Sequence, residues 1–164
     1  MQAILNKIPE KYRDNAMMTL FGLSQIRMLF FIGPKVLKLD ENECKITIPL
    51  NWKTKNHLNS MYFGVLAAGA DCAGGLIAMK QIQLSGKPIS LSFKDFHADF
   101  LKRAEGDTVF TCTQGEEINQ LVQECIKTGE RVNLPVKIIA TVPQKLGDEP
   151  VAEFILTLSL KLKN

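Results

Sequence analysis

The chain is short of the residues that hold metals and staple small folds. It has two histidines and four cysteines in 164 residues, and no two thiols form a C-x-x-C pair. Cys44, Cys72, Cys112 and Cys125 stand singly among apolar or strand-like neighbours, which predicts buried, reduced thiols and no metal site. A chain of this length buries roughly 70% of its unfolded surface and needs no disulfide scaffold. Phosphate-binding glycine motifs are missing too. Gly86-Lys87 lacks the preceding glycine and the following hydroxyl of a P-loop, and no G-x-G-x-x-G opens a helix. Nor does one sign of charge dominate. Twenty basic residues against seventeen acidic leave a net +3, too mild and too evenly spread for a nucleic-acid binder. Repeats, low-complexity tracts and linkers are absent, so a single domain is expected over residues 1–164, with 1–33 as an N-terminal helical extension. Met1 to Arg13 carries charge and Pro9 where a secretory signal needs an unbroken apolar stretch, which points to a cytoplasmic protein.

What the sequence does have is one long apolar run. From Met61 to Met79 the single charged residue is Asp71. Four glycines and five alanines dilute the run, and an acid at mid-depth of a bilayer costs a few kcal/mol. The segment therefore reads as a helix enclosed by protein rather than a membrane span. Its small residues let a sheet come close. Ser60 or Asn59 would cap its first turn.

The other elements follow from periodicity. Met17, Leu20, Phe21, Ile26, Leu29 and Phe30 recur at helical spacing after Pro9, with Gly22 a break or bend, and Gly33-Pro34 ends the stretch. Val36–Leu39 and Cys44–Leu50 alternate about an Asp40-Glu41-Asn42 turn. Strands are expected over Ile89–Phe100, Thr108–Thr113, Asn133–Val142 and Val151–Lys163, and a helix over Gly115–Lys127 that stops at Gly129. In the last strand Phe154, Leu156, Leu158, Leu160 and Leu162 alternate with Thr157, Ser159, Lys161 and Lys163, the mark of an antiparallel sheet with one wet face. The fold class is α+β: an enclosed helix wrapped by antiparallel strands.

The loop Asn56-His57-Leu58-Asn59-Ser60-Met61-Tyr62-Phe63-Gly64, followed by a small-residue helix with one acid, resembles the hotdog fold of acyl-coenzyme A thioesterases. The branch related to phenylacetate-degradation thioesterases carries Asn, five residues, His-Gly-Gly, then Asp or Glu nine residues after the His. Asn56, Gly64 and Asp71 match that pattern, whereas Tyr62 and Phe63 replace its His and first Gly. Gly33-Pro34, Trp52, Gly106-Asp107 and the stretch from Gly147 to Ala152 resemble a subfamily known as a domain of unknown function, DUF4442. The resemblance runs from about Phe30 to Leu162.

That resemblance implies an acyl-thioester hydrolase with no metal or organic cofactor, coenzyme A entering only as part of the substrate. It implies a homodimer or dimer of dimers, with Asp71 facing the Asn56 loop of the other subunit. Asp71 would attack or activate water, Asn56 would orient the water or carbonyl, and the Phe63 and Gly64 N–H groups would hold the oxyanion. His57, Ser60 and Tyr62 are candidates for substrate contact. Each has a plainer reading. Asp71 can serve as an N–H acceptor or a partner for a buried lysine, Asn56 as a turn-former, Ser60 as a helix cap, and His57 as a solvated loop residue. His97 reads as a packed or edge residue. Lys102-Arg103 is a solvated face or a contact for coenzyme A phosphates. A non-catalytic acyl-coenzyme A binding protein is the alternative function, and a hydratase ranks third for want of an Asp-x-x-x-x-His motif.

Overall fold

The computed structural model describes residues 9–163; the expectation drawn from Met1 to Arg13 rests largely on residues outside that range. Pro9 precedes helix α1 (Glu10–Ser24), and α2 (Arg27–Ile32) follows at once. Gly22 does not break α1. A Cβ there would lie 2.8 Å from the backbone nitrogen of Phe30, so the glycine admits α2 close against α1 instead. The restart at Ile26 also shifts the apolar phase. Met18, Leu29 and Ile32 are buried, while Ile26 and Phe30, expected inside, are exposed.

β1 (Lys35–Leu39) and β2 (Cys44–Ile48) form the predicted hairpin. The central helix α3 (Phe63–Ser85) is followed by β3 (Ile89–Phe100) and β4 (Thr108–Cys112). Next come α4 (Gly115–Thr128), β5 (Val132–Thr141), a one-turn helix α5 (Pro143–Leu146) and β6 (Pro150–Leu162). The link from β5 to β6 thus contains a short helix, begun by Pro143 at a first-turn position where its missing N–H costs nothing.

The six strands make one antiparallel sheet in the order β1-β2-β4-β5-β6-β3. The sheet packs on α3, whose small residues fix the distance. A Cβ on Gly69 would come within 2.3 Å of the Phe110 ring, and one on Gly74 within 3.4 Å of Ile138. Ala70, Ala73, Ile77 and Ala78 have no exposed surface. The helix is long and apolar enough to cross a membrane by composition, yet its burial identifies it as the core helix. Its buried amide, Gln81, is satisfied by the carbonyls of Glu41 (2.6 Å) and Gly115 (3.3 Å). That ties the β1–β2 turn and the start of α4 to α3. Gly33, Gly86 and Gly129 end α2, α3 and α4 with positive φ, where a side chain would be strained.

The α+β arrangement and the wrapped helix are as expected. The row assigned to the wet face of β6 is a correction. Lys161 and Lys163 are exposed as expected, but Thr157 and Ser159 are buried, and the Arg131 guanidinium reaches that stretch, donating to the Ser159 hydroxyl at 2.9 Å. β3 bulges opposite Thr157, where Lys94 and Asp95 face a single residue of β6.

Candidate active site

The loop before α3 is built by its own side chains. Thr54 is fully buried; its hydroxyl donates to the Pro49 carbonyl at 2.7 Å and accepts from the Asn51 N–H at 2.9 Å. The Thr54 carbonyl in turn accepts the Tyr62 N–H (2.8 Å), and Met61 N–H reaches the Ala104 carbonyl (2.8 Å). These bonds fix the approach to the helix. Asn56 acts locally: its Oδ1 accepts the N–H groups of Leu58 (2.9 Å) and Ser60 (3.3 Å) and the Ser60 hydroxyl (3.3 Å). Asn59 sits at φ 58°, a left-handed position asparagine tolerates.

Neither Ser60 nor Asn59 caps α3. The capping residue is Tyr62, in extended conformation and without a side-chain cap bond, since Ser60 is already spent on Asn56. The first helical hydrogen bonds come from Val65 and Leu66 to the Tyr62 carbonyl. Among the described residues the N–H groups of Phe63 and Gly64 therefore have no acceptor, at the positive end of a 23-residue helix. The Tyr62 ring packs over Gly64: a Cβ there would meet its Cε1 at 2.6 Å. Phe63 is 59% exposed and lies 4.8 Å from the Tyr62 ring and 6.5 Å from Phe100, centroid to centroid. The backbone donors survive the replacement of His-Gly by Tyr62-Phe63, but two rings stand beside them.

A cavity of about 450 Å³ opens in front of this helix start, bounded by Asn56, His57, Tyr62, Phe63, Phe100 and Arg103. Lys102 also reaches it and is ion-paired with Glu149. His57 is exposed, and so is His97, on the edge strand, whose Nε2 lies 3.3 Å from Asp99.

Asp71 lies elsewhere. It faces a separate cavity of about 80 Å³ between α1, α2, α3 and β3, with Met18, Phe21, Leu29, Met79, Leu91 and Phe93 around it. Among the described residues none is common to the two cavities; within one chain, the Asn56 loop and Asp71 are not brought together. Burial among apolar side chains pushes the Asp71 carboxyl above the usual carboxylate range. No hydrogen bond or ion pair offsets it among the described residues, so the plainer readings of an N–H acceptor or a lysine partner are not met. Burial also raises the neighbouring Cys72 thiol to about 12, with the Asp71 charge adding to it. Cys44 and Cys112 are shifted upward as well, chiefly by burial. All four thiols are free and buried. Among the described residues no group of His, Cys, Asp and Glu is placed to hold a metal ion.

The sequence reading missed the part that α1 and α2 play at Asp71. Met18, Phe21 and Leu29 are 42 or more residues away in the chain, and helical spacing alone does not say which partner an apolar stripe meets.

Comparison with solved structures fixes the architecture. A protein of unknown function and probable thioesterase from Pseudomonas aeruginosa superposes with a TM-score of 0.77 at 22% identity, covering 95% of this chain and 97% of its own. A protein of unknown function from Chlorobaculum tepidum gives 0.80 at 14% identity, with 93% and 96% covered. A thioesterase from Haemophilus influenzae gives 0.63 at 15% identity, with 89% and 88% covered. No curated protein matches the sequence. The likeness shows the hotdog fold: one antiparallel sheet around a central helix, here with two helices in front. Residues 16–154 match the family model described as a domain of unknown function, DUF4442, and the chain belongs to that family.

Proposed function

We propose that the protein is an acyl-thioester hydrolase, acting on acyl-coenzyme A or a related thioester as a homodimer. One observation carries the reading: the core helix presents a half-buried carboxylate two turns beyond its N-terminus, and among the described residues neither that carboxylate nor the first N–H groups have a partner. In this scheme Asp71 takes a proton from water as the water oxygen attacks the thioester carbonyl. The Phe63 and Gly64 N–H groups hold the oxyanion, a stabilisation worth about 3 kcal/mol per donor in comparable sites. The C–S bond then breaks, and the proton held by Asp71 passes to the leaving thiolate. Asn56, His57, Ser60 and Tyr62 line the loop cavity as substrate contacts, and Lys102 and Arg103 at its rim suit coenzyme A phosphates.

The two halves belong to different subunits in this reading. The outer edge of β3, which among the described residues pairs with β6 alone, supplies the junction. The test is thiol release from a panel of acyl-coenzyme A substrates. Turnover is expected on at least one chain length, with Asp71→Asn lowering it about 10²–10⁴-fold, the usual range for a lost general base. Full activity in Asp71→Asn overturns the mechanism.

A second reading rests on the rings of Tyr62 and Phe63 beside the oxyanion donors: a binding protein that holds an acyl thioester without cleaving it. Saturable binding by calorimetry with no thiol release selects this reading.

A further inference from the structure

Behind the small cavity at Asp71 lies a second, larger one. It measures about 450 Å³, is open to solvent on its outer side, and is lined by Asn15, Thr19, Phe30, Pro34 and neighbouring parts of α1, α2 and β1. Met18 and Leu29 line both cavities. Each is 3% exposed; together they form the partition. The partition is held firmly. The Cys72 thiol lies 3.7 Å from the Met18 sulfur and points its weak donor at it. The Asn15 amide clamps α1 to β1, donating to the Val36 carbonyl (3.1 Å) and accepting the Val36 N–H (2.8 Å).

We propose that Met18 and Leu29 are the specificity-determining end wall of the acyl site, restricting the substrate to a short acyl chain. The inference rests on the thioesterase reading, with Asp71 marking where the carbonyl end sits. Volume argues for it. Small-molecule sites usually enclose about 300–1,000 Å³, and an apolar cavity of about 150 Å³ holds one benzene ring. The space of about 80 Å³ beside Asp71 is roughly half the latter, room for an acyl group of about two to four carbons. Among the described residues its lining is apolar apart from Asp71, as an alkyl chain requires. Removing either wall side chain joins this space to the cavity behind and admits a longer chain.

The probes are non-hydrolysable S-alkyl thioethers of coenzyme A, from ethyl to dodecyl, with affinity read by calorimetry. Wild-type protein is expected to bind S-propyl- and S-butyl-coenzyme A at least tenfold more tightly than the octyl and dodecyl analogues. Met18→Ala and Leu29→Ala are expected to gain at least tenfold for the octyl analogue relative to the propyl analogue. Equal or tighter octyl binding by the wild type overturns the length limit, a measurement that needs no variant to fold. Folded variants with an unchanged chain-length profile overturn the assignment of the wall. If no thioether of any length binds, and no acyl-coenzyme A is cleaved, the thioesterase reading itself falls and the inference with it. Binding without a length preference sinks the inference alone.

Discussion

Asp71 is held at a cost, and that cost has a pH signature. In the unfolded chain its carboxyl titrates in the ordinary range; in the fold, burial raises it. Between those two values the folded state holds the proton that the unfolded state has lost, so stability falls as pH rises through the window. Below the ordinary carboxylate value the penalty is absent. Asp71→Asn should therefore have a higher Tm than wild type at pH 7, with the gap closing as pH falls through that window. Differential scanning fluorimetry across pH reads this directly, and equal Tm values at pH 7 would contradict it. Activity should move the other way with pH. The proposed general base works deprotonated, so the acidic limb of the kcat/KM profile should lie above the usual carboxylate range. At the same scale, Phe63→Gly removes the ring beside the oxyanion donors without touching their N–H groups. On the hydrolase reading it is expected to raise kcat/KM in the thiol-release assay; on the binding reading it leaves turnover at zero.

At the scale of elements, the contacts are close where the small residues are. Gly69 sits where any Cβ would drive into the Phe110 ring, which is fully buried and has nowhere to swing. Alanine would gain about 1 kcal/mol of helix propensity, but overpacking costs about 1–3 kcal/mol, and at 2.3 Å the overlap is with ring carbons. Gly69→Ala should be net destabilising by about 1 kcal/mol in urea unfolding. Asn15→Ala removes both bonds to Val36 and should cost about 1–3 kcal/mol, loosening α1 first, as read by hydrogen exchange in residues 10–24.

The same elements show what the sequence made legible. The central helix was readable because glycine and alanine in an apolar run have few other uses, and β6 because its leucines alternate over a full strand. The caps were less so: Ser60 looks like a helix cap in one dimension, but Asn56 stands four residues back and claims it. The phase was lost after α1: the restart at Ile26 turns Ile26 and Phe30 outward, while Met18 is buried and Met17 and Phe21 pack at the edge of the core. The candidate site divides likewise. The spacing from Asn56 to Asp71 was visible, while the Met18–Leu29 partition depends on how α1 and α2 fold back over α3, which is long-range packing.

For the whole molecule, the two edges of the sheet are not equivalent. The β1 edge is covered at Val36, whose N–H and carbonyl are both taken by Asn15, so the side chain stands in for a further strand. The β3 edge carries no such cover among the described residues. It is 12 residues long, and Phe96 (44%), Phe100 (51%) and the following Leu101 (53%) are exposed along it. A long, open strand edge with aromatic side chains is a liability for a monomer and a natural seam for a two-fold dimer. Antiparallel pairing of two β3 strands would satisfy the bare backbone groups of each. The substitution that tests this must spare the pairing with β6 and the aromatic contact of Phe100 with Phe63. Ala98→Pro fits the first need less well than charge placed at Phe96, whose ring stacks on Phe154 at 5.7 Å but remains open to solvent. Sedimentation of the wild type at micromolar concentration should give twice the 18.3 kDa chain mass or a multiple of it. Phe96→Lys should shift the equilibrium toward the single chain and, because each proposed site draws on both subunits, lower thiol release in step with the dimer fraction. A wild-type monomer would overturn the shared site. So would a monomeric Phe96→Lys that keeps full activity, since one chain alone leaves Asp71 and the Asn56 loop in separate cavities.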